Sequence, residues 1–147
     1  MSELVDFIEG TGVNNHGESL EEIHMLDFKD IERRHDIIQW VFPLNVPSQH
    51  LINCPILTEG DINNIDLSFD CQANMLASRD WFVHFLSRTQ HWRKPKDHNL
   101  LRISRAIQSL RLLCGDTIAN DFRSDVLDEV GDFGAQIIGT VTFWKNL

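Results

Sequence analysis

The chain has 147 residues, the size of one ordinary domain, and its hydrophobic share of 42% is typical of a globular protein. Its formal net charge of −9 argues against nucleic-acid binding, because nucleic-acid-binding surfaces are strongly basic. We expect a soluble cytoplasmic protein without a disulfide framework or a nuclear import signal, since the three cysteines are scattered, no apolar run reaches roughly 20 residues, and the N-terminus is acidic.

Capping residues predict the helix starts in the first half of the chain. Residues 3–9 should form one or two helical turns, and a run of Gly and Asn after them indicates a loop. Ser19 and Thr58 each stand three residues before a carboxylate, the spacing of a capping box that satisfies free backbone N–H groups. The helix after Thr58 should run toward Leu67.

The most informative segment is residues 33–44, which read RRHDIIQWVFPL. Apolar spacing predicts a helix from about residue 27 or 30 to residue 42, where a proline without a backbone donor stops it. In that helix His35 would lie on the apolar stripe, with Asp36 and Gln39 beside it. Each buried polar group without a partner costs about 1–3 kcal/mol, so we expect an internal polar network or a pocket.

The middle of the chain reads as a loop and a long helix. Three prolines make residues 43–57 an extended, ordered loop. A helix is predicted from Asp70 to Thr89, and a basic connector at residues 91–97 should anchor Trp92 in the core. The inward face of that helix is predicted to carry Cys71, Met75, Phe82, Phe85 and Leu86.

The last third reads as three helices. Asp97 should cap the first and Gly115 should end it, while Asp116 or Thr117 should cap the second. The first has an apolar stripe of Leu100, Ile103, Ile107, Leu110 and Cys114, and a polar stripe of His98, Arg102, Arg105 and Ser109. The third should span about residues 134–145 and carry the apolar residues Ile137, Ile138, Val141 and Trp144. We predict an all-α fold, a compact single-domain bundle of about six or seven helices over residues 1–147.

Two motifs resemble the opioid growth factor receptor conserved domain. Residues 32–44 resemble its pattern of a histidine followed by Ile-Gln-Trp-Leu-Phe-Pro-Leu, with Val41 in place of the first leucine. Residues 98–110 match its His-Asn and Leu-Arg-Ile-Thr-Arg, with Ser104 keeping the threonine hydroxyl. The likeness covers essentially the whole chain, although Phe85-Leu86-Ser87 replaces the family's Phe-Tyr-Gly. It implies an all-α, receptor-like fold; the namesake animal receptor binds an enkephalin peptide, and single-domain relatives occur outside animals.

Motif residues from both segments are predicted to converge on one ligand-binding pocket: His35, Gln39, Trp40, His98, Asn99, Arg102 and Arg105. Guanidinium groups on the second motif would grip a carboxylate or phosphate, and the Trp40 ring would form a wall. The ligand would be a peptide or a small anion. Alternatively, the same residues form a closed structural network, or a protein partner binds the acidic surface, as in a defence or counter-defence adaptor.

Catalysis is the rival function from another class. A small hydrolase or transferase would use His35 or His98 as its base, but no nucleophile is placed beside either. We therefore predict no catalytic residue, and no metal or cofactor, since HExxH-type spacing does not occur. The other histidines are predicted to lie at the surface or its boundary: His16, His24, His50, His84 and His91.

Overall fold

The computed structural model describes residues 2–49, 51 and 53–147. These residues form nine α-helices and one 3-10 helix, with a single isolated β-bridge, so the predicted all-α fold is confirmed. The chain divides into two compact units, residues 1–78 and 79–147. The assignment of residues 1–147 to one domain stays a prediction, and the prediction for His50 lies outside the described residues.

The first unit is built from short helices whose predicted caps are confirmed. The Ser19 and Thr58 side chains accept from the backbone N–H groups of Glu22 and Asp61, and both capping boxes are complete. The helices are α1 (Glu3–Glu9), α2 (Leu20–His24), α3 (Phe28–Arg33), α4 (Ile37–Val41) and α5 (Glu59–Leu67). α6 (Phe69–Arg88) follows, and the division between the units falls within it.

The single helix predicted from residue 27 or 30 to residue 42 is wrong, because the chain breaks between α3 and α4. Arg34 is extended, with φ −84° and ψ 107°, and its N–H group makes the last hydrogen bond of α3. His35 is exposed in this break and does not lie on an apolar stripe. Arg34 and Asp36 pair here with side chains of the loop at residues 10–19, and those contacts compensate for the interrupted helix.

The core of the first unit forms around α1, α4 and the start of α6. The ring of Trp40 meets that of Phe7 edge-on, with centroids 5.4 Å apart, and Phe42 is fully buried where Pro43 ends the helix. The described residues of the loop predicted at 43–57 contain no helix, and the Leu57 N–H donates to the Leu44 carbonyl at 2.9 Å. The inward residues predicted for α6 are all fully buried. Cys71 and Met75 lie in the first unit, and Phe82, Phe85 and Leu86 lie in the second.

The second unit is organised by two long helices on either side of Gly115. These are α7 (His98–Cys114) and α8 (Asp116–Val130), followed by a 3-10 helix (Gly131–Ile137) and α9 (Ile138–Lys145). Gly115 has φ 94°, a left-handed value that favours glycine. Its N–H group donates to the carbonyls of Leu110 and Arg111 in the last turn of α7, which ends there. It also precedes α8, so the predicted side-chain cap from Asp116 or Thr117 is wrong.

The core of the second unit contains tryptophans with satisfied indole groups. Trp92 is fully buried, as predicted, and its Nε1 donates to the carbonyls of Leu86 and Thr89, both at 3.0 Å. Trp144 is also fully buried, and its Nε1 donates to Ser104 Oγ at 2.8 Å. Ile138 is 65% exposed where the 3-10 helix passes into α9.

No helix among the described residues is both long and apolar enough to cross a membrane.

Candidate functional site

The second predicted motif forms a hydrogen-bonded chain at the start of α7. Asp97 Oδ1 accepts from the Asn99 backbone N–H at 2.9 Å and from Asn99 Nδ2 at 3.0 Å. Asn99 Oδ1 in turn accepts from an Arg102 guanidinium nitrogen at 3.2 Å. All three side chains are buried. This chain caps the helix and satisfies buried polar groups, as a structural network does.

His98 and Arg105 are the half-buried members of this motif. They share one face of α7 with Arg102 and Ser109, because these positions are three or four residues apart. Ser109 and Arg102 are buried, so the polar stripe predicted for this helix faces partly into the protein.

The first motif is held by contacts within its own unit. In the amide orientation that satisfies both of its groups, the Gln39 nitrogen donates to the carbonyls of His35 at 2.9 Å and Asp36 at 3.1 Å. These bonds tie the Gln39 side chain to the backbone of the two residues that precede α4. Trp40 is only 8% exposed and packs on Phe7, so its ring belongs to the core.

The seven predicted ligand residues are therefore divided between the units. His35, Gln39 and Trp40 lie in the first unit, and the four α7 residues lie in the second. Within their own units, Gln39, Trp40, Asn99 and Arg102 make the contacts of structural residues. Their convergence on one ligand pocket stays a prediction.

An ion-paired cluster that the sequence did not reveal joins the loop at residues 10–19 to the break after α3. Two Arg34 guanidinium nitrogens donate to the Glu18 carboxylate oxygens, at 2.9 and 2.6 Å, and Asn14 Nδ2 donates to Glu18 at 3.2 Å. His16 pairs with Asp36 beside them. The Arg34 guanidinium lowers the pKa of Glu18 to about 2. No local spacing signals these pairs, because Glu18 and Arg34 are 16 residues apart in sequence.

A second contact that the sequence did not reveal places an imidazole beside a hydroxyl. His24 Nε2 lies 2.9 Å from Ser78 Oγ, and the two residues are 54 positions apart. Burial lowers the pKa of His24, which keeps its imidazole neutral near pH 7. A neutral imidazole next to a hydroxyl is the arrangement of a base and a nucleophile. Ser78 is only 1% exposed, however, so a substrate has no access to its hydroxyl in this conformation.

Charge is distributed very unevenly along the chain. Residues 1–78 contain 14 acidic and 3 basic residues, a net charge of −11, whereas residues 79–147 contain 8 acidic and 10 basic residues, a net charge of +2. Two of the three cations in the first unit, Arg33 and Arg34, are already paired with acidic side chains. No lysine or arginine occurs between Arg34 and Arg79. The first unit is therefore a strongly anionic body.

A cavity of about 460 Å³ lies in the loop at residues 43–57. None of the described side chains that line it is charged, and none belongs to the predicted ligand set: Pro47, Ser48, Gln49, Leu51, Asn53, Cys54 and Ile56. It therefore does not supply the cationic site that an anionic ligand would require.

No protein-family model matches the sequence, and neither a curated protein nor a solved structure is significantly similar to it.

Proposed function

We propose that the protein is a non-catalytic binding module whose first unit binds a basic segment of a protein partner. The supporting observation is the net charge of −11 on residues 1–78. Half of the acidic side chains in that unit are exposed: Glu3, Glu21, Glu22, Asp27, Glu59, Asp66 and Asp70. A surface of one sign attracts and orients partners of the opposite sign, and it repels nucleic acid and other polyanions.

The resemblance to the opioid growth factor receptor domain supports the same class of function. We propose that the chain is a relative of that family, on the strength of the motifs at residues 32–44 and 98–110. A peptide-binding receptor domain is consistent with an acidic surface that takes a basic segment. A small anionic ligand is less well supported, because Arg102 is buried and bonded to Asn99.

The proposal is tested by native mass spectrometry of the full chain purified from its own host, followed by calorimetry with the retained partner. We expect a basic protein whose affinity falls as salt is added, because ions screen charge pairing between surfaces. A retained anionic small molecule in place of a basic protein would overturn the proposal.

Two matched sets of substitutions locate the binding surface. The first neutralises four exposed acids of the first unit that cap no helix: Glu3→Gln, Glu21→Gln, Asp66→Asn and Asp70→Asn. The second makes the same change of charge on exposed α8 and 3-10 residues: Asp121→Asn, Asp125→Asn, Asp128→Asn and Asp132→Asn. We expect the first set to weaken binding about tenfold or more and the second set less than about threefold. Equal effects would contradict binding through the first unit.

A hydrolase or transferase is the second candidate, favoured by the contact between His24 and Ser78. It requires a conformational change that exposes the Ser78 hydroxyl. Incubation with a fluorophosphonate probe tests it, with Ser78→Ala as the control. Labelling that occurs in the wild type and is absent from Ser78→Ala would support an enzymatic function. We expect no labelling of either protein, because the Ser78 hydroxyl is buried.

A further inference from the structure

Two bulky apolar side chains protrude where α5 meets α6. Leu67, the last residue of α5, is 83% exposed, and Phe69, the first residue of α6, is 85% exposed. They are the two most exposed large apolar side chains among the described residues. Single exposed apolar residues are ordinary on protein surfaces, but a pair at one helix junction marks a place where apolar area can be buried on binding.

The junction between them is ordered by hydrogen bonds. Ser68 is extended, with φ −93° and ψ 116°, and its Oγ accepts from the Cys71 N–H at 3.1 Å. Gln72 Nε2 donates to the Ile65 carbonyl at 3.1 Å and ties the end of α5 to α6. The backbone that carries both apolar side chains is therefore fixed before a partner arrives, which lowers the entropy cost of binding.

The charged residues next to the junction in sequence are all acidic. Exposed Asp66 and Asp70 flank Leu67 and Phe69 in sequence, and Glu59 begins the same α5 helix. The whole stretch at residues 35–78 lacks lysine and arginine. An apolar pair flanked by carboxylates is complementary to a segment that combines apolar side chains with lysine or arginine.

We infer that Leu67 and Phe69 are the apolar anchor on which a basic, apolar-faced segment of a protein partner docks. This inference rests on the proposed function, because the acidic first unit supplies the attraction and the junction supplies the anchor. A second copy of the chain is a poorer occupant, since two units of charge −11 would be brought together.

The test uses fluorescence anisotropy with a labelled amphipathic helical peptide of about 18 residues, made of lysine and leucine at helical spacing. A peptide of the same composition with its leucines spread around the helix measures the charge contribution alone. The double variant Leu67→Gln with Phe69→Gln is compared with wild type, and Met25→Gln is the matched control, because Met25 is 79% exposed in the same unit.

We expect the double variant to bind the amphipathic peptide about tenfold more weakly, with an unchanged thermal midpoint, and Met25→Gln to bind like wild type. Salt-sensitive binding that is equal in wild type and the double variant would overturn the anchor and leave the acidic binding module intact. Failure of wild type to bind either peptide at low salt would overturn the proposed function as well. If wild type sediments as a dimer and the double variant as a monomer, the junction is a self-interface and the inference is wrong.

Discussion

The guanidinium of Arg34 donates two hydrogen bonds to the carboxylate of Glu18, at 2.9 and 2.6 Å. This pair connects the loop at residues 10–19 to the break between α3 and α4. Both side chains are 23% exposed, so the pair is more protected from solvent than a typical surface salt bridge. Arg34 belongs to the segment at residues 33–44, so the pair ties that segment to the loop at residues 10–19.

Removing the Glu18 charge should destabilise the fold in a pH-dependent way. We expect Glu18→Gln to lower the free energy of unfolding by about 1–2 kcal/mol at neutral pH. The pKa of Glu18 is about 2 in the folded state against 4.5 ordinarily, so its contribution is complete above pH 4.5 and is lost as pH falls toward 2. Urea unfolding at neutral pH and near pH 3 should show a smaller difference between variant and wild type in acid. Exposed Glu21→Gln is the control, and an effect as large there would contradict the role of the pair.

His24 should make stability fall in a higher pH range. Burial lowers its pKa from 6.5 in the folded state, so below pH 6.5 the unfolded chain binds a proton that the folded chain does not. The stability that neutral His24 contributes is therefore present above pH 6.5 and lost as pH falls below it. Denaturant unfolding should show that wild type is less stable at about pH 5.5 than at about pH 7.5, and His24→Gln should lose less stability over the same range. A pH dependence that persists unchanged in His24→Gln would contradict the prediction.

The hydroxyl of Ser104 should matter as the acceptor for Trp144. Trp144 is fully buried, and Ser104 Oγ, at 2.8 Å, accepts from its indole nitrogen. We expect Ser104→Ala to lower the free energy of unfolding by about 1–3 kcal/mol, because the buried N–H loses its partner. Ser104→Thr keeps the hydroxyl and should cost less. Equal stability of the alanine and threonine variants, measured by urea unfolding, would show that the hydrogen bond contributes nothing.

Substitutions at two motif residues distinguish a structural network from a ligand pocket. Asn99 is fully buried between Asp97 and Arg102, so Asn99→Ala should lower the free energy of unfolding by about 2 kcal/mol. His35 is exposed, so His35→Ala should change the free energy of unfolding by less than about 0.5 kcal/mol. Calorimetric binding of the native partner to both variants completes the comparison. A His35→Ala protein that is fully stable but has lost binding would favour the ligand pocket.

The sequence predicted those features that depend on neighbouring residues. The Ser19 and Thr58 caps, the inward face of α6 and the end of α7 at Gly115 all follow from local spacing, and the structure has each of them. The sequence-based prediction was wrong at residues 27–42, where apolar spacing alone indicated one continuous helix. The hydrogen bonds from Arg34 to Glu18 cross 16 residues of sequence, and no local pattern contains them.

By itself, the sequence determined the all-helical class, because helical apolar spacing and capping residues act within a few positions of each other. It also determined the excess of negative charge, which is a property of composition. Only the tertiary structure decided which polar side chains meet, such as His24 with Ser78, and which apolar ones stay outside, such as Leu67 and Phe69. Burial and pairing depend on residues that are distant in sequence and adjacent in space, so they are fixed only when the helices pack.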